Sequence, residues 1–240
     1  MLSGRPADIP IGGACAFQLP ADPTCASRSR SLLAATMREL HLPPGLIEDA
    51  KLAVSELATN ALNHAPSPWS NGMAFPELWV WARTRPAPEL VVSVFDAHRE
   101  VWPVSTDTDL LDDHGKGLAI VAALASHTGA HWTRARFRSS CTGKRVWFAV
   151  ALPTPWPKAD QIVPPATAAR GLSEVLRARG VGVVRRTDEA GISILATGDL
   201  NIWVEPKAFS WRAGTNYLRQ PLIDLQETAE CIVSHLEGHR

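Results

Sequence analysis

This chain has no surplus of charge: lysine plus arginine and aspartate plus glutamate number 24 each. With a pI near 7.1 it has no electrostatic reason to gather nucleic acid nonspecifically, and no direct nucleic-acid role is expected. It also lacks a long apolar run. The longest candidate, Leu118 to Ala125, falls far short of a bilayer, which argues against a membrane role. Its four cysteines, Cys15, Cys25, Cys141 and Cys231, form no Cys-x-x-Cys pair and have no histidine at zinc spacing. Scattered thiols without a leader segment fit a reducing, cytoplasmic setting. No internal repeat divides the chain.

What is present supports a folded core: 240 residues, 45% of them apolar, suit one or two domains. From Ile47 to Ala65 the apolar residues Ile47, Ala50, Val54, Leu57, Ala58, Ala61, Leu62 and Ala65 recur at helical spacing. At about 100° per residue, Asp49, Glu56, Asn60 and Asn63 gather in a narrow arc on the opposite side. Glu56 and Asn60 stand four apart, so their oxygens can converge. Mg²⁺ keeps several waters and binds few protein ligands, so one Asn oxygen plus nucleotide phosphates would hold it. A carboxylate one turn away could accept a proton. The same arc also suits an ordinary solvated helix face.

A second segment, Asp112-Asp-His-Gly-Lys-Gly-Leu-Ala-Ile-Val121, is a glycine turn running into an apolar helix. Gly115 and Gly117 allow close approach of an anion, and the helix N-terminus can hold phosphate oxygens. Lys116 adds a point charge. A helix-initiating loop reads the same way. Between the two segments, Leu90-Val-Val-Ser-Val-Phe-Asp96 is an apolar strand ending in an aspartate. Its carboxylate could accept from an adenine amino group, or simply start a turn.

Glu-x-x-x-Asn on a helix, a strand ending in Asp, then Gly-x-Gly opening a helix: this order resembles the GHKL ATPase superfamily with its Bergerat-type ATP-binding fold. Ser55-Glu-Leu-Ala-Thr-Asn-Ala-Leu-Asn-His-Ala65 and Gly115-Lys-Gly-Leu118 look most like its anti-sigma factor serine/threonine kinase branch. A strand over Ala14 to Leu19, a helix over Thr24 to Leu40 and a late strand, Gly143-Lys-Arg-Val-Trp-Phe-Ala-Val150, agree. The resemblance spans residues 12–152. It implies an α/β two-layer sandwich, helices on one face of a mixed, mostly antiparallel sheet. Position by position it implies Glu56 as general base and Asn60 as Mg²⁺ ligand. Asp96 becomes the adenine reader, with Gly115, Lys116, Gly117 and Leu118 at the phosphates and Asn63 and His64 along the nucleotide edge. The implied ligands are ATP and Mg²⁺. The implied partner is a protein, a transcription regulator or its antagonist, and a homodimer is open to it.

Three positions depart from the branch's pattern. His98 stands where relatives often carry a glycine two residues after the aspartate. Asp113 stands where an arginine can meet the γ-phosphate, and a carboxylate there repels it. Lys144 follows the glycine of the late strand in place of a threonine. ATP binding tolerates these changes better than phosphoryl transfer does. The resemblance therefore implies either a kinase acting on a partner's serine or a nucleotide-gated protein-binding regulator without kinase activity.

Pro153, Pro155, Pro157, Pro164 and Pro165 read as a semi-rigid linker over residues 153–165. Residues 166–240 then restart as a small α+β domain. A helix is expected over Thr167 to Arg179, strands over Val181 to Arg186, Ile192 to Ala196 and Asn201 to Glu205, and a helix over Leu222 to Leu236. Trp203, Phe209, Trp211 and Tyr217 suit either its core or a recognition surface. The domain's role is expected to be partner or ligand sensing, or docking onto the ATP-binding part. Two further patterns lie upstream. Trp79 and Trp81 alternate on one strand and are expected to be buried, and Arg134, Arg136 and Arg138 are expected on a solvated strand face.

Overall fold

The apolar stripe expected on the long central helix is a buried seam. In the computed structural model, which describes residues 1–63, 75–99, 102, 116–138, 141–156, 163–187 and 192–238, Ile47, Ala50, Val54, Leu57, Ala58 and Ala61 all lie in one core. The first unit runs β1 (Leu2–Ser3), a 3-10 turn (Pro6–Ile11), β2 (Ala14–Gln18), α1 (Cys25–Glu39) and α2 (Pro44–Asn63). It continues as β3 (Glu77–Arg83), β4 (Glu89–Asp96), α3 (Lys116–Leu124), β5 (His127–Arg134) and β6 (Thr142–Ala151). α1 stops because His41 takes a left-handed φ of 57° and Leu42 N–H closes back on Met37 O at 3.1 Å. Pro44 then opens α2, its fixed φ suited to a first turn.

Six strands form one sheet in the order β1-β2-β3-β4-β6-β5, every ladder among the described residues antiparallel. Alternation sorts its two faces. Leu90, Val92 and Val94 of β4, with Phe148 and Val150 of β6, face α1 and α2. Trp79, Trp81, Val91 and Ala149 face the other way in a separate cluster. The architecture is the expected sandwich of helices on one sheet face.

The second unit comprises α4 (Pro165–Arg177), β7 (Val184–Thr187), β8 (Ser193–Thr197), β9 (Leu200–Val204), β10 (Ala208–Ala213), β11 (Asn216–Pro221) and α5 (Leu225–Gly238). Its strands form a five-stranded sheet ordered β11-β10-β9-β8-β7. The first strand starts three residues later than expected. Val181 N–H still caps α4 at Leu176 O, and Arg177 holds the Val183 carbonyl at 2.8 Å. The β10–β11 hairpin, turned at Gly214 with φ 58°, adds two strands to the three that the spacing predicts. Phe209 and Trp211 of β10 are core, whereas Trp203 and Tyr217 are exposed.

Much of the back face of the six-stranded sheet is covered by α5. α5 buries Ala229, Ile232 and Val233 in its own unit. Its other side carries Glu227, Glu230 and Glu237 onto β3, β5 and β6. Trp81 donates to Glu227 at 2.8 Å, Arg145 to Glu230 at 2.7 Å and Arg134 to Glu237 at 2.6 Å. Trp79 and Trp81 are thus buried as expected, but beneath another unit. Arg134 is not on a solvated face; it is buried and ion-paired. No helix among the described residues is long and apolar enough to cross a membrane.

Candidate functional site

α2 positions the first two candidate residues. With its seam committed to the core, Glu56 and Asn60 are left half-buried on the side turned to α3. Among the described residues neither side chain is engaged in a hydrogen bond or ion pair. An unengaged carboxylate and carboxamide one turn apart are available to a ligand. Asn63 ends the described helix; its side chain, and His64 entirely, lie outside the described residues.

α3 brings the glycine turn to the same place. A Cβ placed on Gly117 would stand 2.7 Å from Glu56 Oε2, so the N-terminus of α3 comes up directly against this carboxylate. The structure therefore brings Glu56 and Gly117 together at the start of a helix, where N–H groups and the helix dipole favour an anion, with Asn60 one turn further along α2. Leu118 follows and packs against the main core. Gly115 lies outside the described residues, as do the side chain of Lys116 and the departure at Asp113.

Asp96 ends β4 on the helix-facing side of the sheet, directly opposite Lys144 of β6. Its carboxylate is engaged twice. Oδ1 accepts from the His98 N–H at 2.8 Å, and Oδ2 meets Lys144 Nζ at 2.7 Å. Lys144 Nζ also donates to the His98 carbonyl. Both ion-pair partners are nearly inaccessible, with side chains 3% and 6% exposed. Close pairing here requires Gly143, since a Cβ there would lie 2.3 Å from Asp96 O. In the sequence, Lys144 and His98 appeared only as departures from a pattern; together they are the two groups that hold the aspartate. The signal was present in the spacing: a strand-end aspartate and a lysine next to a strand glycine are natural cross-strand partners.

The two ends of this site differ in readiness. The α2–α3 end offers free oxygens and a helix start, which fits phosphates with a divalent cation. At the strand end Lys144 meets one carboxylate oxygen and the His98 N–H the other, and the one lone pair left on Oδ1 still suits an amino donor. The His98 Nδ1 atom beside it is buried without a hydrogen-bond partner among the described residues.

The family described as Histidine kinase-like ATPase domain matches residues 19–150, more than half of the chain. No curated protein matches it.

Proposed function

Since this chain belongs to the histidine kinase-like ATPase family, whose domains bind ATP and typically Mg²⁺, we propose that it is an ATP-binding regulator of the anti-sigma factor serine/threonine kinase kind. The observation that carries the reading is the meeting of Glu56 with Gly117 at the start of α3, with Asn60 one turn from Glu56 on the same helix. Asn60 would hold Mg²⁺, which when bound neutralises phosphate charge. The N–H groups at the start of α3 would orient the phosphates, and Asp96 would accept from the adenine amino group. Glu56 would take the proton of a partner's serine hydroxyl as that oxygen bonds to the γ-phosphorus and ADP leaves. The partner would be a small antagonist protein, working with a transcription regulator.

A second reading, a nucleotide-gated binding regulator without phosphotransfer, is favoured by the carboxylate of Asp113 where an arginine would meet the γ-phosphate and by His98 in place of a glycine, changes that ATP binding tolerates better than transfer does. One experiment separates the two. Labelled ATP is incubated with the protein and the partners that co-purify with it, alongside the variants Asn60→Ala and Glu56→Gln. The kinase reading expects Asn60→Ala to lose Mg²⁺-dependent ATP binding in calorimetry. It expects Glu56→Gln to retain ATP yet lose about 10²–10⁴ in transfer rate, the usual worth of a positioned base. ATP binding with no labelled partner in the parent selects the binding regulator. Unchanged ATP affinity in Asn60→Ala removes the metal assignment.

A further inference from the structure

We propose that α5 of the C-terminal unit sets the geometry of the base-reading end, with Arg99 and Glu237 as its positioning residues. The inference rests on the reading of Asp96 given above. It comes from two pairs of consecutive residues, each with one member at Asp96 and the other held by α5.

The first pair is His98 and Arg99. His98 gives its N–H to the Asp96 carboxylate and its carbonyl to Lys144. Arg99, the next residue, reaches the far end of α5. Its Nη1 meets Glu237 Oε2 at 3.1 Å, and its Nη2 donates to the Glu237 carbonyl at 3.0 Å. The guanidinium lies 4.7 Å over the Trp132 ring, which fixes its plane. Glu237 is fully buried and is anchored from the other side by Arg134 at 2.6 Å. Arg134 also donates to the Gly180 carbonyl at 2.8 Å, beyond the end of α4.

The second pair is Lys144 and Arg145. Alternation on β6 sends Lys144 to the helix-facing side, opposite Asp96, and Arg145 to the back, opposite Phe95. Arg145 is wholly buried, 3.8 Å over the Trp79 ring, and pairs with Glu230 of α5 at 2.7 Å. The backbone that carries Lys144 is thus pinned one residue away by the C-terminal unit. A shift of α5 moves both groups that hold Asp96, and a ligand that recruits Asp96 pulls on α5 in return. Such coupling is reciprocal.

The test uses the full chain. ATP and GTP are titrated with Mg²⁺ into the parent, Arg99→Ala, Arg99→Lys and Glu237→Gln, with thermal melting as a check that each variant folds. Arg99 is the informative site, since its side chain is one-third exposed and its loss spares the buried network. The parent is expected to favour ATP. Arg99→Ala and Glu237→Gln are expected to lower the ATP-to-GTP affinity ratio about tenfold, within the usual range of coupling between sites. Arg99→Lys should restore much of it, because a cation can still reach Glu237. A merely structural weakening would lower both affinities together and leave the ratio unchanged. An unchanged ratio in folded Arg99→Ala, with a parent that binds ATP, overturns this inference alone. A parent that binds neither nucleotide overturns the reading of the site and this inference with it.

Discussion

The two faces of the six-stranded sheet are buried by opposite chemistries. Apart from the Asp96–Lys144 pair at one strand end, the helix side is hydrocarbon: Leu57 of α2 packs with Leu78, Val92, Val94 and Phe148 of the sheet. The back side joins aromatic rings to ions. Arg145 and Arg179 lie against Trp79 and share the Glu230 carboxylate, while Arg83 bridges Glu89 and Glu227. Glu230 also meets His131 at 3.2 Å and Gln226 at 2.8 Å. Hydrocarbon burial is non-directional and tolerates repacking, whereas buried ions must keep every partner. One face is therefore a core, and the other behaves as an internal interface whose specificity is set by charge.

The largest effects should come from leaving that charge cluster incomplete. Glu230→Ala strands two buried guanidiniums and is expected to cost about 3–5 kcal/mol in urea unfolding. Leu57→Ala on the opposite face should fall in a similar range, about 2–5 kcal/mol, by leaving a cavity. Recovery distinguishes them. Replacing Arg145, Arg179 and Glu230 together by Leu or Met should restore most of the stability lost in Glu230→Ala, because the apolar replacements leave no orphaned charge. A triple variant as unstable as Glu230→Ala would show that this face is built for packing, like the other.

A smaller effect follows from pH. Burial alone would raise the Glu230 carboxyl, but the charges of Arg145 and Arg179 outweigh it and hold the group well below its ordinary 4.5. A depressed folded-state value means that its stabilisation is present above 4.5 and is lost as pH falls through the lower folded value. Asp224, bonded to the Thr84 N–H and hydroxyl, runs the other way. Burial pushes it up to about 6, so its relative contribution is full below 3.8 and is lost as pH rises through about 6. Melting temperature followed across this acid range should fall at its lower end in the parent. Glu230→Gln should remove that fall while keeping the Asp224 slope. An identical acid limb in parent and variant would place the titration elsewhere.

The contrast between the faces also marks what the sequence could disclose. A hydrocarbon seam writes itself as periodicity, and Ile47 to Ala61 carries the helix-side core in plain view. The shared position of Glu56 and Asn60 was readable for the same reason: once the seam is committed, they have one side left to occupy. Nothing local marks an ion cluster assembled from residues far apart in the chain. Arg134 looked like any arginine on a strand, because its partner, Glu237, lies 103 positions away. Trp79 and Trp81 were legible as buried, but what buries them was not. The β10–β11 hairpin is not legible because β11 is exposed on both faces from Asn216 to Arg219, so burial imposes no alternation on it.

The smallest change in stability should accompany one of the sharper changes in function, at Gly117. A Cβ there meets the far end of the flexible Glu56 side chain at 2.7 Å, so the carboxylate can swing aside without disturbing the backbone. Gly117 also lies inside α3, where alanine is favoured over glycine by up to about 1 kcal/mol. Gly117→Ala is thus expected to melt within a few degrees of the parent, or slightly above it. The swing displaces the proposed base by roughly the width of a bond, and misplacement on that scale can cost about a hundredfold in rate. Single-turnover transfer to a labelled partner should fall accordingly, with ATP affinity little changed. Gly143→Ala provides the control. Its Cβ meets Asp96 backbone oxygen at 2.3 Å, which cannot rotate away, so stability itself should drop there. If Gly117→Ala transfers phosphate at the parent's rate, the α2–α3 contact does not position a base, and Glu56 is only a polar residue beside a helix start.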